Sequence, residues 1–531
     1  MRNAFRKSCS TLLCSALIFS TVPGSHAQSN GIANLPSLGD AGSAELSVQD
    51  ERRLGALIMK DYRAFGAVNT DPEITSYISR LGSKIVQAAS ESPANFEFFL
   101  VTDKSVNAFA MPGGYIGVHT GLIATAQSES ELASVLAHEV GHVTQRHIAR
   151  RFGEQKQSSL VATAAMIAAL LVAGSNPQAA TGIMAAGAGY SIDQQLAFSR
   201  DAEREADRVG FLTLQRAGYD PQGMVDFFGR LQNASRLYEN NAPAYLRTHP
   251  LTTERIADIR NRAGLDGVGS TRTTKITDLE FELYRVKSLV YGEKTNQQLS
   301  DRLQSFNRIN EQEAIADPVA REYGKSLVLE RMGRTKEAAA SADKAARMFK
   351  ESQSLVKTMP LPLLLASQQL RTDLNAALPP ASAPIAERPP RGLEALDEQG
   401  KALYAQLNQF RDQYRAEMSV RILYAEGLQR LGLFSLSDGF LREQVQVYRS
   451  NAQLFELLAQ SSAAMGRPAD HHLYLAQSYA LRGAYLPAIE QTEIAKRFAV
   501  DNYYLLAEID AKQREYKRKA DEEREFARLG N

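Results

Sequence analysis

The stretch Leu136-Ala137-His138-Glu139-Val140-Gly141-His142 organises the rest of the chain, because it contains the pattern His-Glu-x-x-His. Residues four apart on a helix lie on the same face, one turn above the other. His138 and His142 can therefore direct two imidazoles at one metal ion, with the carboxylate of Glu139 beside them. This arrangement suits a zinc ion bound by the two histidines, with the glutamate placed to take a proton from the zinc-bound water. A helix that carries two histidines by chance is the plain alternative, but the chain has only 8 histidines in 531 residues.

Acidic residues further along the chain are candidates for the same site. Catalytic zinc usually has three protein ligands and a water, so the motif helix leaves one ligand to be found. Glu203 lies on a later helical pattern, far enough downstream to return beside the motif helix. Asp207, one turn after Glu203, can hold the far N–H of a ligating imidazole. Glu205 is expected to point away from Glu203 and to leave metal binding unaffected.

The segment Thr248-His249-Pro250 and the later Arg255 form another candidate region. A solvated loop followed by a helix that starts at Pro250 is the plain interpretation. The functional interpretation puts His249 and Arg255 at the rim of the site, aimed at a substrate carbonyl or a developing oxyanion. Alternatively, His249 approaches the open fourth position of the metal, displaces the water and holds the enzyme latent. Both roles of His249 stay open at the level of sequence.

Helix and strand signals precede the motif. Apolar residues at helical spacing predict two helices, one from Val48 and one after Asp71-Pro72. The aromatic run 96–101 predicts a strand, and residues 107–119 predict a hairpin with its turn at Pro112-Gly113-Gly114. The motif helix should start just after Ser128-Glu-Ser-Glu131, which has the spacing of a capping box.

The N-terminus is typical of a secretory signal peptide, cleaved after Ala27. A basic beginning is followed by an apolar run that is too short to span a membrane comfortably, so a transmembrane anchor is the weaker alternative. Both cysteines, Cys9 and Cys14, lie in this segment, and the mature chain is expected to have no disulfides. Residues 28–43 are rich in Gly, Ser, Asn and Pro and are predicted to be a flexible N-terminal segment.

Charge excludes one class of partner. Removal of residues 1–27 takes away three of the 61 basic residues and none of the 60 acidic ones, so the mature net charge is −2. That balance gives no electrostatic reason to expect nucleic acid as a partner. The length favours two or three domains.

An apolar segment at 160–189 follows the motif helix and is interrupted by Gly174-Ser-Asn-Pro177. Its first part is short for a membrane span, which favours a helical hairpin. A cover over the site and a peripheral contact with membrane or substrate are both compatible with its position. A chain embedded in the membrane is a further hypothesis that rests on this segment.

The C-terminal half shows helix-turn-helix repeat spacing. Small and apolar residues recur at repeat offsets, and the turn glycines Gly432 and Gly466 lie 34 residues apart, the length of a tetratricopeptide repeat. Stacked hairpins of this kind usually form a concave surface for partners. The predicted division is a domain that contains the His-Glu-x-x-His motif at 44–270, helical repeats at 271–378, a Pro-rich loop or linker at 379–391, and further repeats at 392–531.

Together these motifs resemble the zinc metallopeptidases that include the HtpX-like and CAAX prenyl proteases, over about residues 45–265. The resemblance implies an α+β zincin-like metalloprotease domain followed by an all-α tetratricopeptide-type helical repeat domain, as in the soluble periplasmic members. It implies one zinc ion per chain, held by His138, His142 and Glu203, with Glu139 as the general base. It also implies that substrate backbone pairs with a strand. The residues of that strand are Asn107, Ala108, Phe109 and Ala110.

The function implied by the resemblance is periplasmic zinc-dependent endoproteolysis in the assembly and quality control of outer-membrane proteins. The implied partners are unfolded or misassembled outer-membrane proteins and, through the repeats, the outer-membrane assembly machinery. The alternative is a chaperone or scaffold whose repeats do the main work while the protease domain is latent.

Overall fold

The structure is a computed structural model that describes residues 47–64, 66–89, 95–154, 198–237, 243–265, 275–308, 315, 317–352, 360–380 and 382–529. The predicted signal peptide, the 28–43 segment and the apolar segment 160–189 lie outside the described residues. Among the described residues, none of the helices has the length and apolar character needed to cross a membrane.

The part of the fold that surrounds the motif is mixed α and β. Its elements, in chain order, are α1 (Val48–Ala64), α2 (Pro72–Ala88), β1 (Glu97–Val101), β2 (Ala108–Met111), β3 (Tyr115–His119), α3 (Thr120–Thr125), α4 (Glu129–Thr144), α5 (His147–Glu154), α6 (Arg200–Arg216), α7 (Gln222–Leu237), α8 (Ala244–Thr248) and α9 (Thr253–Leu265). Helix α10 (Lys275–Gly292) then packs against α3, so this region continues past residue 270.

The sheet has three strands in the order β1-β3-β2. β2 and β3 are antiparallel, with Ala108 opposite Val118, and a 3-10 turn at Pro112–Gly114 joins them. This is the hairpin predicted from the sequence, and Gly113 supplies the positive φ of 79° that its turn requires. β1 lies parallel to β3 on the other side, so β2 is an edge strand among the described residues.

Helix α4 carries the motif and is buried along nearly its whole length. Ser128 caps it by accepting a hydrogen bond from the Glu131 amide at 3.2 Å, as predicted. The reciprocal half of the capping box is displaced by one residue, because the Glu131 carboxylate accepts from the amide of Gln127. The helix ends at Thr144, so Arg146, Arg150 and Arg151 belong to the following bend and to α5.

Arg146 makes that bend, with a φ of 52°. The left-handed region costs a residue with a Cβ roughly 1–2 kcal/mol. Its guanidinium lies 3.1 Å from the carboxylate of Glu51 on α1, and its amide donates to the Val143 carbonyl. The bend starts α5 at His147 and places that imidazole behind His142.

Helix α6 packs directly against α4, and glycines allow the close approach. A Cβ at Gly210 would lie 3.0 Å from the backbone of His138, and one at Gly141 would lie 3.1 Å from the Ala206 carbonyl oxygen. Real side chains rarely approach backbone this closely, so larger residues would force the helices apart. The glycine inside the motif therefore has a packing role.

The remainder of the described chain consists of α-helices joined by loops, with 3-10 turns at Ile385–Glu387 and Leu393–Ala395. Its helices are α11 (Asn296–Asn307), α12 (Pro318–Arg331), α13 (Thr335–Glu351), α14 (Leu361–Ala377), α15 (Glu398–Gln413), α16 (Met418–Arg430), α17 (Phe434–Val447), α18 (Ala452–Ala464), α19 (Pro468–Leu481), α20 (Tyr485–Phe498) and α21 (Tyr503–Leu529). Gly333, Gly432, Gly466 and Gly483 all have positive φ and stand in tight turns between consecutive helices. The predicted helical hairpins are therefore present in this region.

The two regions share a core. One cluster of buried apolar side chains extends from Ile74 on α2 to Leu365 on α14. Within it, the buried Lys287 ammonium lies 2.8 Å from the Asp71 carboxylate and also pairs with Glu73. Buried charges persist only when they are paired, so this network attaches α10 firmly to α2. The domain boundary placed near residue 270 stays a prediction.

Candidate metal centre

Helices α4 and α6 and the turn after α8 bring four buried side chains together. His138, His142, Glu203 and His249 each offer one ligand atom, and these atoms all lie within 4.8 Å of one another. All four side chains are almost completely buried. The cluster brings together His138, His142 and Glu203, and it includes His249, which the sequence placed either at the fourth position of the metal or at the rim of the site.

The ligand atoms converge as a metal site requires. His138 Nε2 lies 3.0 Å from His142 Nε2. The Glu203 carboxylate approaches both rings, with Oε2 at 3.5 Å from His138 Nε2 and Oε1 at 3.4 Å from His142 Nε2. Two imidazole nitrogens and one carboxylate make up a common ligand set of catalytic zinc. These residues therefore fit a zinc ion.

Glu139 stands beside this cluster, and its Oε1 lies 3.5 Å from Nε2 of His249. It is fully buried, and neither of its oxygens accepts a hydrogen bond from a described residue. A buried carboxylate is costly without a partner, so such a group calls for an explanation in chemistry or in solvent. The position suits a group that accepts a proton from a water in the site.

Asp207 and Arg255 lie behind the ligands. Asp207 Oδ1 is 3.0 Å from His138 Nδ1, the nitrogen that faces away from the cluster. Arg255 binds Asp207 through two nitrogens, at 2.6 and 2.7 Å, and its Nη1 lies 2.7 Å from Glu203 Oε2. The guanidinium is thus directed at two carboxylates, where it orients a ligand and the partner of a ligand.

These contacts set the charge state of the buried groups. Burial raises the pKa of Asp207, but hydrogen bonds from Arg255 and His138 outweigh it and hold that pKa below its usual value. Burial also opposes the charged form of His138, yet hydrogen bonds to Asp207 and Glu203 raise its pKa to about 9. The carboxylates therefore carry negative charge, which favours a cation at this point.

His249 occupies the space in front of the ligands. Its Nδ1 lies 3.0 Å from Glu203 Oε1 and 3.4 Å from His138 Nε2, while its Nε2 lies 3.5 Å from Glu139 Oε1. The ring stacks on Tyr245 with 4.5 Å between centroids. His249 thus contacts both the candidate ligands and the Glu139 carboxylate, and it is buried rather than placed on a solvated loop.

The predicted substrate strand flanks the motif helix. Ala108, Phe109 and Ala110 lie on β2, which packs against α4, and Asn107 precedes the strand. The Asn107 carbonyl accepts the amide of His119 at 3.0 Å, so the pairing with β3 extends to this residue. The Tyr245 amide donates to the carbonyl of Val106, which connects α8 to the beginning of the strand.

Sequence reasoning missed His147, which lies directly behind His142. Their Nδ1 atoms are 2.8 Å apart, and His147 Nε2 lies 3.0 Å from the carboxylate of Glu205. Burial lowers the pKa of His147 to about 4. Glu205 does point away from Glu203, but its contact with His147 connects it to the ligand cluster. The histidine five residues after the motif was the available signal.

Metallopeptidases typically combine two motif histidines with a glutamate from a second helix and a further glutamate at their side. All four of these side chains are present and buried in this site. The chain belongs to this class as a member of peptidase family M48, whose sequence profile matches residues 72–263. The predicted family resemblance is thereby confirmed.

Within the family the chain is similar to beta-barrel assembly-enhancing proteases. It is 30% identical to the one from Yersinia pestis over 86% of each chain. It is 42% identical to the "Putative beta-barrel assembly-enhancing protease" of Vibrio cholerae over 48% of this chain and 52% of that protein. It is 34% identical to the Escherichia coli K12 protein over 55% of this chain and 58% of that protein. The matches to the last two thus span little more than half of those relatives' length.

Proposed function

We propose that this chain is a zinc-dependent endopeptidase of the periplasm that acts in the assembly and quality control of outer-membrane proteins. The site supports the chemistry, and the names of the relatives support the setting. The single observation that carries the proposal is the buried carboxylate of Glu139, which accepts no hydrogen bond from a described residue, beside the cluster of His138, His142 and Glu203.

In this proposal His138, His142 and Glu203 hold one zinc ion per chain. A zinc ion held there would acidify a water and polarise the scissile carbonyl of the substrate. Glu139 accepts the proton of the attacking water and passes it to the leaving amine, which is the general-base role followed by the general-acid role. Asp207 and Arg255 keep His138 and Glu203 in their ligating orientation.

The substrate is proposed to bind as an extended strand along β2. This strand is hydrogen-bonded to β3 on one side and is an edge among the described residues. An extended peptide adds to such an edge through backbone hydrogen bonds, which tolerate many sequences. Unfolded outer-membrane proteins provide extended segments of this kind. Asn107, Ala108, Phe109 and Ala110 are therefore the proposed substrate-binding residues.

The helical hairpins of the C-terminal region are proposed to be tetratricopeptide-type repeats that bind partners such as the outer-membrane assembly machinery. The domain division at 44–270, 271–378, 379–391 and 392–531 belongs to this proposal. So do the cleaved signal peptide at 1–27 and a peripheral membrane contact through 160–189.

A second candidate function is a scaffold or chaperone with a latent protease. The insertion of His249 among the ligand atoms favours it, because a side chain in that position competes with water. If cleavage of an unfolded protein persists after Glu139 is replaced, the cleavage comes from a contaminating protease. That result would argue for the scaffold function.

Glu139→Gln provides the test of the enzymatic proposal. The amide cannot accept the proton, so cleavage of unfolded casein should fall by about 10²–10⁴-fold while zinc content is kept. Glu131→Gln, a change at another buried glutamate of α4, is the matched control and should retain activity. Equal cleavage by Glu139→Gln and the parent at matched zinc content would refute the mechanism.

Glu203→Ala tests the third ligand. It should sharply reduce zinc occupancy, measured by metal analysis, because only the two histidines of the proposed set remain. Asp201→Ala on the same helix is the control, because Asp201 is exposed and contacts Arg204. Equal zinc loss in the two variants would show that the wrong carboxylate has been chosen.

A further inference from the structure

The two histidines of the motif are supported from behind in different ways. The outward nitrogen of His138 meets a carboxylate directly, that of Asp207. The outward nitrogen of His142 meets a third imidazole, that of His147, at 2.8 Å. His147 in turn meets Glu205 at 3.0 Å, and Arg150 Nη2 donates to the same Glu205 oxygen at 2.8 Å.

The hydrogen bonds that link His142, His147 and Glu205 have a consistent direction. His142 presents Nε2 to His138 and Glu203, so a metal ligated there leaves the imidazole proton of His142 on Nδ1. That N–H donates to Nδ1 of His147, which must therefore carry its own proton on Nε2. The Nε2–H donates to Glu205. Each imidazole nitrogen of His142 and His147 then has one role, and no hydrogen-bond donor faces another donor.

We propose that His147 and Glu205 are positioning residues for zinc, which fix the tautomer and the ring orientation of His142. Partners of this kind raise the basicity of a ligating imidazole and usually affect metal affinity nearly as strongly as ligands do. This inference rests on the zinc ligands proposed above. It deepens that proposal, because it assigns a role in metal retention to two residues outside the ligand set.

The series of hydrogen bonds from His142 through His147 to Glu205 is called the relay. The surrounding structure fixes the position of its side chains. His147 is buried, and the left-handed bend at Arg146 sets its position at the start of α5. Phe198 stacks on His142 with 3.9 Å between ring centroids, which prevents that ring from turning. The contact of Glu205 with Arg150 joins α5 to α6, so both ends of the relay lie on helices.

The test is the zinc affinity of the full chain, measured by competition with a chelator. His147→Ala and Glu205→Ala should each bind zinc about 10- to 100-fold more weakly than the parent. His147→Gln should recover much of the loss, because the Gln amide offers an acceptor to His142 and a donor to Glu205. A cobalt-substituted sample should show a changed visible spectrum in His147→Ala and a spectrum closer to that of the parent in His147→Gln.

Controls separate this inference from the ligand assignment and from general instability. Asp201→Ala should bind zinc like the parent, and Glu203→Ala should lose zinc. Glu205 is partly exposed, so Glu205→Ala keeps the test valid even if His147→Ala fails to fold. The relay is refuted if Glu205→Ala binds zinc as tightly as the parent while Glu203→Ala loses it. If Glu203→Ala also binds normally, the proposed ligands themselves are wrong.

Discussion

His249→Ala should raise the basal rate of proteolysis. In the structure Nδ1 of His249 lies 3.0 Å from Glu203 Oε1 and its Nε2 lies 3.5 Å from Glu139 Oε1. A hydrogen bond to a charged group contributes about 1.5–3 kcal/mol. Each 1.4 kcal/mol is a factor of ten, so the inserted position would be favoured over an open one by roughly 10- to 100-fold. Removal of the imidazole should therefore increase the cleavage rate by roughly 10- to 100-fold.

The assay is the initial rate of cleavage of unfolded casein at matched zinc content. Thr248→Ala is the neighbouring control, since its hydroxyl donates only to the Tyr245 carbonyl among the described residues. Adding Glu139→Gln to His249→Ala should abolish the gained activity, which ties it to this site. A role of His249 as an oxyanion donor predicts the opposite sign, a loss on the order of a hundredfold. A decrease, or an unchanged rate with unchanged zinc affinity, would refute the latch.

Measurements of stability and of zinc binding test three other features. Lys287→Met should lower the free energy of unfolding by about 3–5 kcal/mol, because it removes the buried ammonium that pairs with the Asp71 and Glu73 carboxylates, whereas the same change at the exposed Lys294 should have little effect in denaturant melts. Gly210→Ala should weaken zinc binding by displacing α6 from α4, while Gly229→Ala, whose Cβ has its nearest neighbour at 3.9 Å, should not. Burial raises the pKa of Glu280 to about 7. Its contribution to stability is therefore full below about pH 4.5 and is lost as pH rises through 7, and melts of Glu280→Gln should show a weaker decline over this window.

Sequence alone was sufficient for the elements that depend on local pattern. The spacing of His138 and His142 places both on one helical face whatever surrounds them, and the structure shows both imidazoles in one cluster. The turn of the hairpin was readable because Gly113 must adopt a positive φ. Glu203 was selected by a count of zinc ligands, and the fold does bring its carboxylate to the two histidines.

The contacts that sequence reasoning did not supply join distant segments. Glu205 was expected to leave metal binding unaffected because it faces away from Glu203 on the same helix, but its contact with His147 involves another helix. The bend at Arg146 brings α5 to the face of α6 that carries Glu205. No local sequence pattern predicts an arginine with a positive φ at this point. Arg255 was placed at the rim by its spacing from His249, whereas buried carboxylates draw its guanidinium behind the ligands. Such pairings follow from tertiary burial of charge, which periodicity does not encode.

Helix α6 links ligand position to ligand support. Glu203 offers a ligand atom, Asp207 holds His138 from behind, and Glu205 reaches His142 through His147. A displacement of α6 relative to α4 would therefore disturb a ligand and both supports together. Because the two helices approach at Gly210 with no intervening side chain, little space is available for that displacement. In this arrangement the motif supplies the two histidines, and the packing of α6 against α4 brings Glu203 to them.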